Sequence, residues 1–276
     1  YTLSTGWDVS TASYANKSFS VTSQETTPSS IDFNPEGTLM YILGYTNDTV
    51  YQYSLSTAWD VSTASYSSKS FSDTQEGMVY DLEFNSDGTK MYTLGDNREA
   101  VYLYSLSTAW DVSTASYDSF YFEVGLQEWN PTSVKFNADG SSMYILGWGS
   151  DIVYEYTLST AWDLSTASYV YDSSNRTSVR EVDYNPYETA FSTDGTRMYV
   201  LGSGNDSVGQ YTLSTAWDLG TASYTNELFS VSSQDTNPYA LTFNSVGTIM
   251  YVLGGTGTIY QYTLANAQPI STASYA

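Results

Sequence analysis

The chain has 276 residues, of which 41% are hydrophobic, and its 30 acidic and 8 basic residues give a formal net charge of −22. This charge argues against nucleic acid and anionic membranes as partners, because both are bound through positive patches. Cysteine and histidine are absent, which excludes disulfides, thiol chemistry, and the commonest general base and transition-metal ligand.

Two phrases recur along the chain in step with each other. The first phrase is YSLSTAWDVSTASY, which is identical at 53–66 and 104–117. Near copies lie at 1–14 (YTLSTGWDVSTASY), 156–169, 211–224 and 262–275. The second has the form FxxxGxxMYxLG and occupies 33–44, 84–95, 136–147, 191–202 and 243–254. A repeat of about 52 residues indicates that each copy forms one structural unit.

Each unit predicts four short strands, as the second copy illustrates. DLEFN at 81–85 leads through a turn into TKMYTLG at 89–95, and Gly88 supplies the positive φ that a tight hairpin needs. VYLYSLS at 101–107 alternates apolar and polar residues with the period of a strand, and ASYDSFYFEV at 115–124 contains the fourth strand. Four antiparallel strands without a helical stretch predict the blade of a β-propeller.

The repeats therefore predict an all-β fold, a five-bladed β-propeller that forms a single domain over 1–276. The expected blade cores are 24–66, 75–117, 127–169, 182–224 and 234–276. Because the opening phrase restarts at 262, the overlap of the N- and C-terminal segments predicts ring closure, which removes an exposed edge strand. We expect 1–23 to complete the last blade. The alternatives are an outer strand from 271–276 and a chain that is part of a longer array.

A resemblance supports this fold. FxxDGxxMYxLG followed by DxVYxY resembles the YVTN and NHL class of propeller repeats, and the LSTAWDxSTASY ending is similar to repeats of surface and tail proteins of marine bacteria and their phages. The resemblance covers nearly all of the chain and implies a propeller, a fold that hosts many functions. The Trp-Asp pair does not indicate the WD-repeat family, because its Gly-His partner is missing and the period is too long.

One face of the predicted propeller carries nearly constant loops. These are the turns between the first and second strands and the loops between the third and fourth strands. We expect four tryptophans to pack at the blade junctions: Trp59, Trp110, Trp162 and Trp217. We expect the aspartates that follow them to bond their own loop backbone in Asx turns: Asp60, Asp111, Asp163 and Asp218. The repeated phrase is thus predicted to be scaffold.

The loops of the opposite face vary. They lie at 24–29, 75–80, 127–132, 182–187 and 234–239, and at 45–49, 96–100, 148–152, 203–207 and 255–258, with three extra residues near 173–176. A constant frame with a varied face favours binding through the varied loops, and unconstrained drift is the alternative. The candidate ligand contacts are Tyr45, Tyr80, Trp129, Trp148, Tyr184, Tyr187 and Tyr239, with Gln24, Gln75, Gln127 and Gln234. Exposed rings beside amides are typical of sugar sites, and packing in the core or at the rim is the alternative.

Five acidic residues lie at equivalent positions, each eight residues before a strand phenylalanine: Glu25, Glu76, Glu128, Asp183 and Asp235. A ring of carboxylates at the channel mouth would raise some pKa values or recruit a cation. Oxygen ligands without His or Cys favour calcium, which is the one cofactor that the sequence suggests. The favoured interpretation is structural, with each acid capping backbone amides of its own blade.

The leading functional hypothesis is a non-enzymatic recognition or adhesion module that binds glycans or another cell-surface partner. Abundant Ser, Thr, Tyr and Gly with few Lys are typical of an extracellular, cell-surface or virion-surface protein, in which the chain would form a homo-oligomer or part of a larger assembly. No apolar run suits a transmembrane helix, so we expect no direct membrane insertion.

Two alternatives belong to other functional classes. One is a structural coat, filament or tail subunit that makes only protein–protein contacts. The other is a glycosidase with carboxylates in the central pocket, which needs two carboxyl groups in different environments. The five acids lie at equivalent positions, and Asp183 alone differs by following Val182 instead of Gln. No catalytic residue is assigned.

Overall fold

The computed structural model describes residues 7–169 and 171–264. Five antiparallel sheets form the five blades of a propeller, and apart from short 3-10 turns these residues contain no helix. Within the same ranges, no helix is long and apolar enough to span a membrane. The predicted all-β, five-bladed β-propeller is confirmed.

The strands follow one order in every blade, from the channel outward. The first blade comprises β2 (Pro28–Phe33), β3 (Leu39–Gly44), β4 (Thr49–Leu55) and β5 (Ala64–Ser72), and the second comprises β6 (Val79–Phe84), β7 (Lys90–Gly95), β8 (Ala100–Leu106) and β9 (Ala115–Glu123). The third comprises β10 (Pro131–Phe136), β11 (Ser142–Gly147), β12 (Ile152–Leu158) and an outer strand in two pieces, β13 (Ala167–Ser168) and β14 (Arg176–Ser178). The fourth comprises β15 (Pro186–Phe191), β16 (Arg197–Gly202), β17 (Ser207–Leu213) and β18 (Ala222–Ser230). The fifth comprises β19 (Pro238–Phe243), β20 (Ile249–Gly254), β21 (Thr258–Leu264) and β1 (Ala12–Ser20).

The ring closes through the N-terminal strand. β1 runs antiparallel to β21, with Ala12 opposite Leu264 and Ser20 opposite Thr258. The overlap of the chain ends therefore removes the free edge that β21 would otherwise present. The alternative outer strand, 271–276, lies outside the described residues.

The core lies between the blades, and the second strand of each blade serves two neighbours. In β3, Met40 and Ile42 pack into the cluster shared with the fifth blade. Tyr41 and Leu43, on the opposite side of the same strand, pack into the cluster shared with the second blade. Because successive side chains of a strand point to opposite faces, these consecutive apolar residues are all fully buried.

The repeated tryptophan loops join the blades, as predicted. Trp59 packs on Phe33 of its own blade with ring centroids 5.4 Å apart, and its carbonyl accepts a 2.7 Å hydrogen bond from the Tyr251 hydroxyl of the fifth blade. The same tyrosine-to-tryptophan bond recurs at the other junctions, in Tyr41–Trp110, Tyr92–Trp162, Tyr144–Trp217 and Tyr199–Trp7. Asp60 accepts from the backbone N–H of Ser62 at 3.1 Å, which is the predicted Asx turn.

The extra residues near 173–176 interrupt the outer strand of the third blade. A 3-10 turn, Ser173–Asn175, separates β13 from β14. The Thr177 hydroxyl, in β14, donates a 2.6 Å bond to the Leu219 carbonyl in the tryptophan loop of the fourth blade. The insertion thus lies at the outer edge of the propeller, away from the channel.

Candidate functional site

Five aromatic side chains surround the channel mouth on the varied face. Tyr45, Tyr80, Trp148, Tyr187 and Tyr239 come from the first to the fifth blade in that order, and each is half-buried. They line a cavity of about 300 Å³, and Thr27, Pro28, Ser29 and Thr132 complete the lining. We call these five aromatic residues the aromatic cup.

Four pairs of neighbouring rings in the cup are in contact. Their centroids are 5.1 Å apart for Tyr45–Tyr80, 6.4 Å for Tyr80–Trp148, 5.4 Å for Trp148–Tyr187 and 5.2 Å for Tyr187–Tyr239. The angle between neighbouring ring planes is 50–67°. Rings that turn by such an angle from one blade to the next form a curved wall and not a flat platform.

Each blade supplies one ring to the cup, from one of two positions. Three rings come from the second residue of the innermost strand: Tyr80, Tyr187 and Tyr239. The same blades carry a non-aromatic residue at the first position after the second strand: Asp96, Ser203 and Gly255. In the first and third blades the pattern is reversed, with Ser29 and Thr132 in the strand and Tyr45 and Trp148 after it.

Random drift of surface loops would not require one ring from each blade. Two rings in one blade would fill the mouth, and none would leave a gap in the wall. The Cβ that a side chain at Gly255 would add lies 3.0 Å from the Tyr239 ring, so a large residue there would collide with it. The pairing of small and aromatic positions therefore keeps the cavity open.

The cup offers few hydrogen-bonding groups. The Ser29 hydroxyl donates to the Val79 carbonyl at 3.0 Å, and the Tyr239 hydroxyl accepts from the Asn237 amide at 2.6 Å, so both are engaged within the protein. Burial, together with the nearby Tyr239 and Tyr45 phenols, raises the pKa of Tyr187 to about 12. The phenol therefore stays neutral at physiological pH and presents an apolar ring with one hydroxyl.

Two predicted contacts lie outside the cup. Trp129 and Tyr184 are 55% and 65% exposed and stand at equivalent positions of the third and fourth blades. Each ring lies over a glycine of its own blade: an added Cβ on Gly149 would be 2.7 Å from Trp129, and one on Gly204 would be 2.9 Å from Tyr184. They form a rim on the varied face, beside the cup.

The predicted glutamines do not reach the cup. Gln127 accepts a 3.0 Å bond from the Tyr156 hydroxyl inside the third blade, and Gln24 and Gln234 accept from Tyr53 and Tyr262 in the same way. Gln75 is exposed and donates to its neighbour Thr74. Gln24, Gln127 and Gln234 thus bind the third strand of their own blade and are not placed to read a ligand in the cavity.

The fourth blade lacks this bond, because Val182 replaces the glutamine and the Tyr211 hydroxyl is buried without a partner. We expect Tyr211→Phe to leave the free energy of unfolding unchanged or slightly raised, whereas Tyr156→Phe should lower it by about 1 kcal/mol by removing a satisfied bond. Urea unfolding of both variants tests this. An equal loss in the two would contradict it.

The five equivalent acids are buried caps of their own blades. Glu128, fully buried, accepts from the backbone N–H groups of Asn130, Gly149 and Ser150 at 2.9–3.1 Å. Asp183 accepts from Asn185, Gly204 and Asn205 in the same manner. Glu25, Glu76 and Asp235 each accept from a backbone N–H one or two residues further along. This geometry matches the structural interpretation, in which each acid caps backbone amides of its own blade.

The same acids do not meet as a cation site. Among residues 7–169 and 171–264 there is no group of three or more His, Cys, Asp or Glu residues placed to hold a metal ion. Carboxylate oxygens that already accept backbone N–H groups are poorly available to calcium, whereas Glu25 Oε2 and Glu76 Oε2 are buried without a hydrogen-bond partner. Calcium at Glu25, Glu76, Glu128, Asp183 and Asp235 stays a prediction.

A charged cluster inside the channel was missed from the sequence. Lys135 Nζ lies 2.9 Å from Asp81, 3.3 Å from Glu83 and 3.3 Å from Glu188. Asp81 and Glu188 are buried, and a fourth carboxyl group, Asp32, lies close enough to interact with the Lys135 charge. We call these five residues the channel cluster.

The channel cluster holds four acidic groups and one basic group, and the pKa values of several of them are shifted. Burial is the largest effect and raises the pKa of Asp32 from its usual 3.8 to about 7 and that of Glu188 from 4.5 to about 8, against the lowering effect of Lys135. The Asp81, Glu188 and Glu83 charges raise the pKa of Lys135 well above its usual 10.5, against the effect of burial. Asp32, Glu83 and Lys135 also line a cavity of about 240 Å³ that includes residues of the constant turns, at the mouth opposite the cup.

These shifts predict an unusual pH dependence. Between about pH 4 and pH 8 the folded state holds protons on Asp32 and Glu188 that the unfolded chain has released, so stability falls as the pH rises. The lowered pKa values of Asp60 and Asp111, beside Lys17 and Lys69, act only below about pH 4. We expect the melting temperature to be several degrees higher at pH 5 than at pH 8. Asp32→Asn combined with Glu188→Gln should flatten that slope, and an unchanged slope would contradict the prediction.

Comparisons with known proteins identify the fold. No family model and no curated protein matches the chain. A solved protein from Lactobacillus plantarum is similar at 15% identity and a TM-score of 0.51, over 82% of this chain and 64% of that one. A functionally unknown protein from Desulfotomaculum acetoxidans is similar at 13% identity and a TM-score of 0.51, over 82% of this chain and 65% of that one. The β-propeller domain of Cps50 (Swd1) from Myceliophteria thermophila is similar at 11% and 0.51, over 92% and 100%. The chain thus spans just under two thirds of the first two proteins, and identities this low carry the fold alone.

Proposed function

We propose that the protein is a non-enzymatic recognition module that binds an exposed ligand in the aromatic cup. The observation that supports the proposal is the supply of one ring by each blade, from one of two positions. Small ligands bind in concave, mainly apolar sites, and the cup is such a site on the varied face. The opposite face carries the repeated loops that hold the blades together.

Glycans are the ligand class that the aromatic loops favour, and a surface location agrees with the composition. A sugar would stack its C–H face on a ring of the cup, and the exposed Trp129 and Tyr184 would extend the contact along a chain of sugars. A single site of this kind gives a Kd of about 1 mM. Copies in an oligomer or on a cell or virion surface would multiply this affinity, which suits a YVTN- or NHL-like adhesion protein.

A glycan array tests the proposal, run once with calcium and once with a chelator. Three proteins are compared: the wild type, Trp148→Ala with Tyr187→Ala in the cup, and Trp129→Ala with Tyr184→Ala on the rim. Binding that is lost in the cup variant supports the proposal. Binding that is lost only in the rim variant, or only with the chelator, would move the site to the rim or to the acidic residues.

The structural alternative predicts a different result. A coat, filament or tail subunit would assemble with increasing concentration and would show no cup-dependent ligand. Sedimentation velocity of the wild type and the cup variant distinguishes the two, because assembly that is indifferent to the cup belongs to the structural function.

The glycosidase alternative rests on the channel cluster, the place where carboxyl groups have unequal environments. There, however, the Lys135 ammonium donates to Asp81 at 2.9 Å and lies 3.3 Å from both Glu83 and Glu188, and Asp81 also accepts from the Val134 backbone at 2.8 Å. Groups bound in this way are occupied by the fold, so we give the channel cluster a structural function.

A further inference from the structure

The rings of the aromatic cup curve around one shared cavity. Four neighbouring pairs, from Tyr45 through to Tyr239, have centroids 5.1–6.4 Å apart and ring planes turned by 50–67°. Such a curved wall lets a cation in the cavity lie within the roughly 6 Å over which a ring face attracts it. A trimethylammonium group is compact and apolar on its surface, and its charge is spread over its methyl groups. It therefore gains contact with several rings at once, whereas a flat sugar ring stacks on one.

The hydrogen-bonding groups of the cup suit such a ligand better than a neutral sugar. The Ser29 hydroxyl and the predicted glutamines are engaged within the blades. The phenol of Tyr187 and the indole N–H of Trp148 are fewer groups than a sugar has hydroxyls, so a buried sugar would leave some hydroxyls without partners, which costs free energy for each one. A quaternary ammonium group has no hydrogen-bond donor or acceptor and incurs no such cost.

The charge of the site also favours a cation. Asp96 stands at the position from which Tyr45 and Trp148 reach the cup in their own blades, and its charge adds to burial and the Tyr45 phenol in raising the pKa of Tyr80. Burial and the neighbouring Glu99 raise the pKa of Asp96 itself, so negative charge is crowded at this edge of the mouth. A bound cation would relieve that crowding, and the net charge of −22 would attract it over a longer range.

From these observations we infer that the aromatic cup binds a quaternary or methylated ammonium group of the kind that choline carries. The inference rests on the proposed function and names the chemical group that the same site recognises. The rings of the five blades surround the methyl groups, and Asp96 supplies the counter-charge at the edge.

The test is calorimetric titration of the full chain with choline and with its neutral isostere, 3,3-dimethyl-1-butanol. The two differ in charge and hardly in shape, so we expect choline to bind at least tenfold more tightly. Equal affinities would reduce the cup to an apolar pocket and overturn the inference. Phosphatidylcholine vesicles, in a parallel sedimentation assay, show whether a lipid head group or a free solute carries the ammonium group.

Variants of the cup test whether an aromatic ring and a nearby negative charge are needed for choline binding. Tyr187→Phe keeps the ring and should keep choline binding within about twofold, whereas Tyr187→Leu should weaken it at least tenfold. The matched control Tyr184→Leu, on the rim, should have no effect. Asp96→Asn, a change at the edge of the cup, should weaken choline and leave the neutral isostere unchanged. Sensitivity to Tyr187→Phe together with indifference to Tyr187→Leu would contradict the cage.

The two proposals can fail separately. Cup-dependent glycan binding without choline binding would overturn the ammonium inference and leave the recognition function in place. Failure of choline, of the vesicles and of every glycan to bind at the cup would overturn both.

Discussion

Replacing Lys135 with methionine is expected to lower the free energy of unfolding by about 3–5 kcal/mol at pH 8, a large fraction of the stability of a typical domain. Methionine fills a similar volume but leaves Asp81, Glu83 and Glu188 facing one another without a cation. Removing one partner of a buried ion pair is far more costly than removing both, because the charges that remain are desolvated and uncompensated. Chemical denaturation followed by far-ultraviolet circular dichroism measures the change.

The same variant should be sensitive to pH in a defined direction. At pH 5 the raised pKa values let Glu188 and Asp32 take up protons, so the loss caused by Lys135→Met should shrink. Lys135→Met with Asp81→Asn and Glu188→Gln removes charge on both sides and should recover part of the loss at pH 8. A loss that is the same at both pH values would mean that lost packing, and not uncompensated charge, is responsible.

The fold could be predicted because repetition provides independent copies of the same evidence. The FxxxGxxMYxLG hairpin and the tryptophan loop each recur along the chain, so an error in interpreting one copy is corrected by the others. Closure by β1 followed from the overlap of the ends, since a propeller with an open blade would expose an edge strand. Register and blade order follow once the period is known.

The candidate site could be predicted only in part. The aromatic residues of the varied loops were identified, but loop position alone does not separate Tyr187, which faces the cavity, from Tyr184, which lies over its own loop. Aligning the five copies would have revealed the signal, because the cup rings occupy two columns, one ring in each copy, and the rim residues occupy a third.

The channel cluster was missed because single copies hide it. Asp32, Glu83 and Lys135 each stand one residue before a strand phenylalanine, where one charged residue between apolar neighbours has the pattern of a solvent-facing strand position. In the propeller the innermost strands of all the blades converge on the channel, so these residues meet one another. The contact joins different blades, and no local pattern encodes it.

Substitution of Gly140 by alanine is the second change for which we expect a large effect, about 3 kcal/mol lost from the free energy of unfolding. Gly140 has φ +75°, a region that costs an L-residue about 1–2 kcal/mol. The added Cβ would also lie 2.3 Å from the Trp162 ring, and displacing a packed side chain costs about 1–3 kcal/mol more. Four other turn glycines meet a tryptophan in the same way: Gly37, Gly88, Gly195 and Gly247.

A double-mutant cycle separates the two causes. In a Trp162→Ala background the collision disappears and only the backbone cost of Gly140→Ala should remain, so the loss in the double variant should be smaller than the sum of the two single losses. Gly77→Ala is the matched control, because its Cβ would meet only the movable amide of Asn97, at 2.7 Å, and its loss should be small. Simple additivity of the Gly140 and Trp162 losses would show that the tryptophan ring does not restrict the turn. The repeated glycine would then be required by its backbone conformation alone, and the tryptophan would stabilise the blade junction independently of it.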